Sequence, residues 1–229
     1  MIIDAGHGGH DPGTHGVFSK EKDVVLDVAL QVGKYIEQYL PDVKVVYTRT
    51  DDKFVELEQR AHIANKNHAD VFISIHANAV GKNTIYGTET YVMGPHKTEG
   101  NLDVAKRENA VILYEEGYEE KYEGFDPNSP ESHILFSLTQ SAYIENSLYL
   151  ASKIEEQFGK RAGRKSRGVK QAGFWVLWRT AMPSVLVEIG YLTNPNEEKD
   201  LNSQSVKGNI ASGIFRAFRD YKNEIESLN

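Results

Sequence analysis

Three histidines, His7, His10 and His15, stand among five glycines in IIDAGHGGHDPGTHG at the start of the chain. Imidazoles set where the backbone is kept bare point to phosphate, to metal or to a mere turn. Phosphate is disfavoured by spacing. A dinucleotide fingerprint counted from Gly6 and Gly8 needs a third glycine where Asp11 stands, and no Gly-Lys-Ser/Thr follows to make a P-loop. A metal needs donors from elsewhere in the chain. The apolar run VFISI ends at His76, and SVLVE ends at Glu188. Ligands of open α/β sheets collect beyond the carboxyl ends of the strands, so His7, His76 and Glu188 are expected at one sheet edge. Two imidazoles, an acidic oxygen and an open position describe a catalytic zinc site. The glycines would then let the chain bend and leave room for substrate. Glu21, just ahead of the first helix, is the candidate third ligand, with Asp23 beside it as N-cap. Each residue alone has an ordinary reading, a backbone-bonded histidine or a solvated rim acid; the combination favours metal.

The elements that must position these groups alternate. Residues 2–5 read as a short buried strand and residues 23–40 as an amphipathic helix stopped by Pro41. Residues 43–48, 71–75, 85–93, 174–177 and 185–189 read as strands. Residues 55–69, 134–158 and 206–228 read as helices. This order predicts an α/β fold: a mostly parallel sheet flanked by helices on both faces. One stretch breaks the rhythm. Residues 94–132 are charged, contain LDVAKRENAVILYEEGYEEKYEG and end in DPNSPES, which suggests an inserted helix and loop within a single catalytic domain of residues 1–229.

Composition narrows the function. A net charge of −7 argues against nucleic acid as a partner, although KRAGRKSRGVK (160–170) is a local basic run. With no cysteine there is no thiolate nucleophile, zinc finger or disulfide. No run approaches a membrane span, and no signal peptide is evident. A strand that opens directly at Ile2 suggests a chain cut at a domain edge.

The stretches IIDAGHGGHDPG, KEKDVVLDVAL, VVYTR, LEQRAHIANKNHADVFISIHANA, GTETYVM, RGVKQAGFWVL and MPSVLVEIGYLTNPNEE occur in order and cover nearly everything outside residues 94–132. In them the chain resembles the zinc-dependent N-acetylmuramoyl-L-alanine amidases of bacterial cell walls, the division amidases among them. The resemblance implies one zinc ion on His7, Glu21 and His76, with Glu188 as catalytic acid/base rather than ligand. It implies hydrolysis of the amide between muramic acid and L-alanine of peptidoglycan, in the periplasm or after secretion. It also implies that the insertion is a regulatory, autoinhibitory helix displaced by an activator protein; within KREN, Glu108 is the expected plug. Asn78 is a candidate substrate contact. Arg49 and Arg60 read as structural ion pairs or as holders of a peptide carboxylate. Asp4 is a candidate for orienting His7 or equally for a plain structural hydrogen bond, and His10, His15, His62 and His68 read as loop or surface residues. Rival readings are a zinc-dependent deacetylase or peptidase of the wall, or a wall-binding module without chemistry.

Overall fold

The structure is a computed structural model describing residues 1–138 and 142–227. Its centre is a six-stranded sheet. Strands β1 (Ile2–Ala5), β2 (Val46–Tyr47), β3 (Phe72–Asn78), β4 (Thr88–Met93), β5 (Ser166–Ala172) and β6 (Ser184–Tyr191) lie in the order β2-β1-β3-β6-β4-β5. Pairing is parallel except between β4 and β6, so the mostly parallel α/β reading holds.

Side-chain alternation along the strands separates two cores. Ile3, Ile73, Ile75, Val185, Val187 and Ile189 face the helices α1 (Glu21–Tyr39), α6 (Ile144–Lys160) and α8 (Gln204–Ser227). In α1, Val24, Val25, Val28, Ala29, Val32 and Ile36 recur at helical spacing and are buried, which makes the helix amphipathic. On the opposite face Ile2, Phe72, Tyr91 and Leu186 pack under α2 (Leu57–Lys66), the short α7 (Trp175–Trp178) and the segment after β4.

That segment holds α3 (Glu99–Asn109), a 3-10 turn (Ala110–Tyr114), α4 (Tyr118–Lys121) and α5 (Pro130–Ser137). It is more than the expected helix and loop. Val104, Ala105, Val111, Ile112, Tyr122 and Phe136 are built into the second core, with Phe136 stacked 4.7 Å from the Trp175 ring. Removing it would uncover Trp175, so it is no detachable surface excursion.

Four sequence expectations change. Residues 174–177 are not a strand: Trp175 N–H donates to Asn109 Oδ1 and the run closes into a helical turn under the insertion. Four apolar residues carry no period that separates strand from helix. The strand lies one step earlier, in the basic SRGVKQA, which pairs with β4 at the edge of the sheet and is half-buried. Residues 43–48 shorten to the two-residue β2. The single helix over 134–158 is two, α5 begun by Ser129 and Pro130 and α6 begun after the turn at 142–143; residues 139–141 lie outside the described part, as does the end of the closing helix at 228.

The turn leaving β1 is held by two buried arginines. Arg60 Nη1 donates to Asp4 Oδ1 (2.8 Å) and to the Ala5 carbonyl (2.7 Å), and Nη2 to the His7 carbonyl (2.8 Å). Arg49 donates to the carbonyls of Ala5, Gly6, Lys22 and Asp51. Arg60 is thus the structural ion pair foreseen, whereas Arg49 serves carbonyls and, among the described residues, pairs with no acid. Asp4 does not reach His7: it also accepts from Thr48 and Ser74 and belongs to this anchor. Asp4→Ala leaves Arg60 buried without its counter-charge, and chemical denaturation is expected to show a loss of about 3–5 kcal/mol.

Candidate metal centre

His7 sits just past β1, where φ of 60° places it in the left-handed region, a strained position for a non-glycine residue. His76 lies near the end of β3, directly opposite Glu188 of β6. Glu21 is the first residue of α1; Lys20, not Asp23, is the N-cap residue, and Asp23 stands inside the first turn. The helix start is what swings Glu21 over the strand ends. Its Oε2 accepts from Thr14 N–H and its Oε1 from Ala77 N–H, both at 2.8 Å.

His7 Nε2 lies 3.0 Å from Glu21 Oε1 and 3.3 Å from Glu108 Oε2. His76 Nδ1 lies 3.1 Å and 2.9 Å from the same two oxygens. One donor atom from each of His7, Glu21, His76 and Glu108 falls within 4.8 Å of all the others, and all four residues are buried. His7 Nε2 and Glu108 Oε2 have no hydrogen-bond partner. Orphaned buried donors converging on one point fit a cation. Two imidazole nitrogens and carboxylate oxygens without thiolate suit zinc and its divalent neighbours.

Two glycines make the convergence possible. A Cβ on Gly6 would lie 2.4 Å from the His76 ring; one on Gly13, at φ 64°, would lie 2.6 Å from the His7 ring and 2.7 Å from Glu21 Oε2. The bare backbone seen in the sequence makes room for the donors themselves.

Electrostatics follow from this packing. Burial draws the His7 pKa down, but Glu21, Asp11 and Glu108 outweigh it and raise the pKa well above 6.5. Burial is likewise overcome at His76, where Glu108 and Glu21 push the value up to about 9. Glu21 and Glu108 are held below their ordinary value by the imidazoles, despite burial. Glu188 differs. Fully buried, with neither oxygen hydrogen-bonded, it is pushed well above 4.5 by desolvation and then by the Glu108 charge.

The structure brings His7, Glu21, His76, Glu108 and Glu188 together. It leaves His10, His15, His62 and His68 exposed, with His10 against Phe54. Asn78 is buried and its amide engaged: Nδ2 donates to Glu89 Oε2, and Oδ1 accepts from Ala79 N–H and Arg107 Nη2. Two residues escaped the sequence reading. Asp11 Oδ2 lies 2.7 Å from His7 Nδ1, the partner that Asp4 was expected to be; its signal was the four-residue spacing in HGGHD. Arg107 bonds Glu108 Oε1 and the Ala79 carbonyl, and its Nη2 stands 3.5 Å from Glu188 Oε1.

Comparison with known proteins gives this geometry a context. The sequence pattern of Amidase_3, N-acetylmuramoyl-L-alanine amidase, matches residues 1–220. This chain belongs to that family. It is 34% identical over 224 residues to AmiA of Escherichia coli, covering 96% of the chain and 75% of the relative. To AmiC of Escherichia coli it is 30% identical over 224 residues, covering 96% of the chain but only 52% of the relative, so it spans about half of that protein. Among solved structures, the catalytic domain of CwlV, an N-acetylmuramoyl-L-alanine amidase from Paenibacillus polymyxa, superposes with a TM-score of 0.71 at 31% identity over 97% of both chains. The amidase of Clostridium difficile gives 0.73 at 28% identity, covering 97% of this chain and 95% of that one. As a member of the family the domain is a cell-wall amidohydrolase.

Two outcomes test the centre. Asp11→Ala frees the His7 ring to turn and is expected to weaken metal affinity about 10- to 100-fold in chelator competition. In the metal-free protein the raised histidines contribute stability that is full below pH 6.5 and is lost as pH rises through about 9. The lowered Glu21 and Glu108 contribute above pH 4.5 and lose that on acidification. Thermal melts of chelator-treated protein should therefore peak between these limits and fall toward pH 9. Added zinc, which selects neutral imidazoles, should remove the alkaline fall.

Proposed function

We propose that the domain is a zinc-dependent hydrolase of the amide joining N-acetylmuramic acid to L-alanine in peptidoglycan, and that α3 holds it inactive. The observation that carries the reading is the Arg107–Glu108 pair: Glu108 stands among His7, Glu21 and His76, and Arg107 stands over Glu188. In this reading His7, Glu21 and His76 hold the metal. Glu108 would then offer the metal a fourth protein donor, in the place that a catalytic zinc site leaves to water or substrate.

When bound, zinc supplies a Lewis acid beside the scissile carbonyl. The remaining steps belong to the chain. Glu188, its carboxyl pushed well above the ordinary carboxylate range by burial, accepts a proton in its ionised form from the attacking water and returns it to the departing alanine nitrogen, work typically worth about 10²–10⁴ in rate. Asp11 fixes the His7 ring, and Glu89 fixes Asn78 with its oxygen toward the cleft, where Arg107 now occupies it. Release of α3 would free the metal, Glu188 and Asn78 together. We assign that release to an activator protein, acting outside the cytoplasm where the wall is. Among the described residues no helix is long and apolar enough to cross a membrane.

Zinc content and peptidoglycan hydrolysis in the intact chain, Glu188→Gln and Glu108→Ala test the reading. One equivalent of zinc and stem peptides with a free N-terminal L-alanine are expected. Glu188→Gln should keep its zinc and lose about 10²–10⁴ in rate. Glu108→Ala should gain about tenfold, since charge-assisted contacts no longer hold α3 down. Release of acetate instead of peptide would make the protein a deacetylase, and loss of activity in folded Glu108→Ala would remove the plug. The point variant is preferred to excision of residues 99–132, which strips Val104, Val111, Ile112 and Tyr122 from the second core.

A further inference from the structure

A second feature lies beside the metal centre. Between α3 and the β4–β5 edge is a cavity of about 460 Å³, walled on the sheet side by Asn78, Glu89, Tyr91, Arg167, Lys170 and Tyr191. Strand register sets its place. Glu89 is directly opposite Glu188 in the antiparallel β4–β6 pair, so both side chains leave the same face of the sheet. Lys170 is paired with Tyr91, two residues further along β4 on that face. The cavity therefore begins one strand away from the buried carboxyl assigned to proton transfer.

Its chemistry is an excess of cations. Glu89, 1% exposed, receives five donors: Arg167 Nε at 2.8 Å, Lys170 Nζ at 2.5 Å and Tyr191 OH at 2.7 Å on Oε1, Tyr91 OH at 2.8 Å and Asn78 Nδ2 at 3.2 Å on Oε2. One carboxylate thus pins two cations in place and leaves a formal charge of +1. Arg167 and Lys170 keep 28% and 24% of their side chains exposed, so each still faces the cavity. Glu89 spends only one of the three N–H donors that a lysine ammonium carries. Lys82 and Arg107 add positive charge to the walls, and Asp103 of α3 is the one acid that the helix brings there. The basic run of the sequence thus turns two of its members, Arg167 and Lys170, inward.

We propose that this cavity is a subsite for a free carboxylate of the stem peptide, held by Arg167 and Lys170. The proposal rests on the amidase reading, which makes a peptide the leaving group. An extended chain advances about 3.3–3.6 Å per residue, so an acidic residue next to the departing alanine reaches one strand beyond Glu188. A fixed guanidinium and ammonium suit a carboxylate, because charge-assisted hydrogen bonds are the strong ones and pre-oriented donors lose little on binding. Glu89 is the positioning residue: without it the two cations would repel one another and swing to solvent.

The test uses two synthetic muramoyl-L-alanyl peptides, identical except that the acidic residue after alanine carries a free carboxylate in one and a carboxamide in the other. Both are assayed with the intact chain and with Glu108→Ala. The free acid is expected to be preferred about tenfold in kcat/KM, chiefly through KM. Arg167→Gln and Lys170→Gln should abolish that preference, with kcat/KM falling further on the free acid than on the amidated peptide, and Arg167→Lys should restore part of it. Equal use of both peptides by the parent protein would overturn the proposal. So would equal losses on both in the variants, which would mean that Arg167 and Lys170 only support Glu89. If neither peptide is cleaved, the amidase reading has failed, and calorimetric titration of the intact chain with the alanine-terminated acidic peptide and its amide decides the cavity separately. Tighter binding of the acid, lost in Lys170→Gln, would sustain the subsite; equal binding would end it. Competition by inorganic phosphate without discrimination between the peptides would assign the cavity to a phosphodiester polymer of the wall instead.

Discussion

The carbonyls of Ala5, Gly6 and His7 have left the sheet ladder but not the protein interior, and a buried carbonyl without a donor is costly. Two buried guanidiniums, Arg49 and Arg60, take these carbonyls, and Asp4 balances Arg60 from within β1. Everything at the metal centre hangs from this turn. It lets β1 end abruptly, holds His7 in a left-handed conformation and leaves Gly6 flush against the His76 ring. The charges of Arg49 and Arg60 serve the backbone, which is why neither is available to substrate.

Above the turn the centre is a problem of unlike charges in a dry place. Two carboxylates, Glu21 and Glu108, face two imidazoles; without a cation the imidazoles meet them by holding protons. A divalent ion would replace those protons. Glu188 stands a few ångströms away with no hydrogen bond on either oxygen, and burial favours its neutral form. The same sheet edge therefore holds carboxylates of opposite habit. N–H donors and imidazoles draw the Glu21 pKa down, whereas burial without hydrogen bonds pushes the Glu188 pKa up. A third, Glu89, is ionised and saturated, and it organises the cations next door. Position on neighbouring strands, not residue type, separates the three roles.

The segment between β4 and α6 belongs to both parts of the molecule. Its apolar side completes the second core around Trp175, while its polar side delivers Arg107 and Glu108 to the cleft. A helix so attached can move its charged face only at the expense of apolar contacts with Trp175 and its neighbours. That would set a threshold on the release proposed for it.

Much of this was legible in the chain. Apolar runs leading into His7, His76 and Glu188, and Glu21 at a helix start, point to the candidate centre, because parallel α/β topology gathers the carboxyl ends of strands at one edge, although β3 runs on to Asn78 and β6 to Tyr191. The amphipathic period of α1 and the alternation of apolar runs with helices are local properties and survive without coordinates. Other matters needed the fold. FWVL reads as a strand until Asn109 caps it from 66 residues away, and SRGVKQA reads only as part of a local basic run until β4 pairs with it. For His7 the reading of the sequence offers Asp4 as a partner and passes over Asp11. Only the packing sends Asp4 to Arg60 and Asp11 to the imidazole. The sequence by itself thus determined the family, the sheet and which residue types could meet at its edge, since these follow from periodicity and motif. Which carboxylate is ionised, which arginine is spent on backbone and which cations turn inward were decided by tertiary structure alone, because burial and charge pairing exist only between segments distant in the chain.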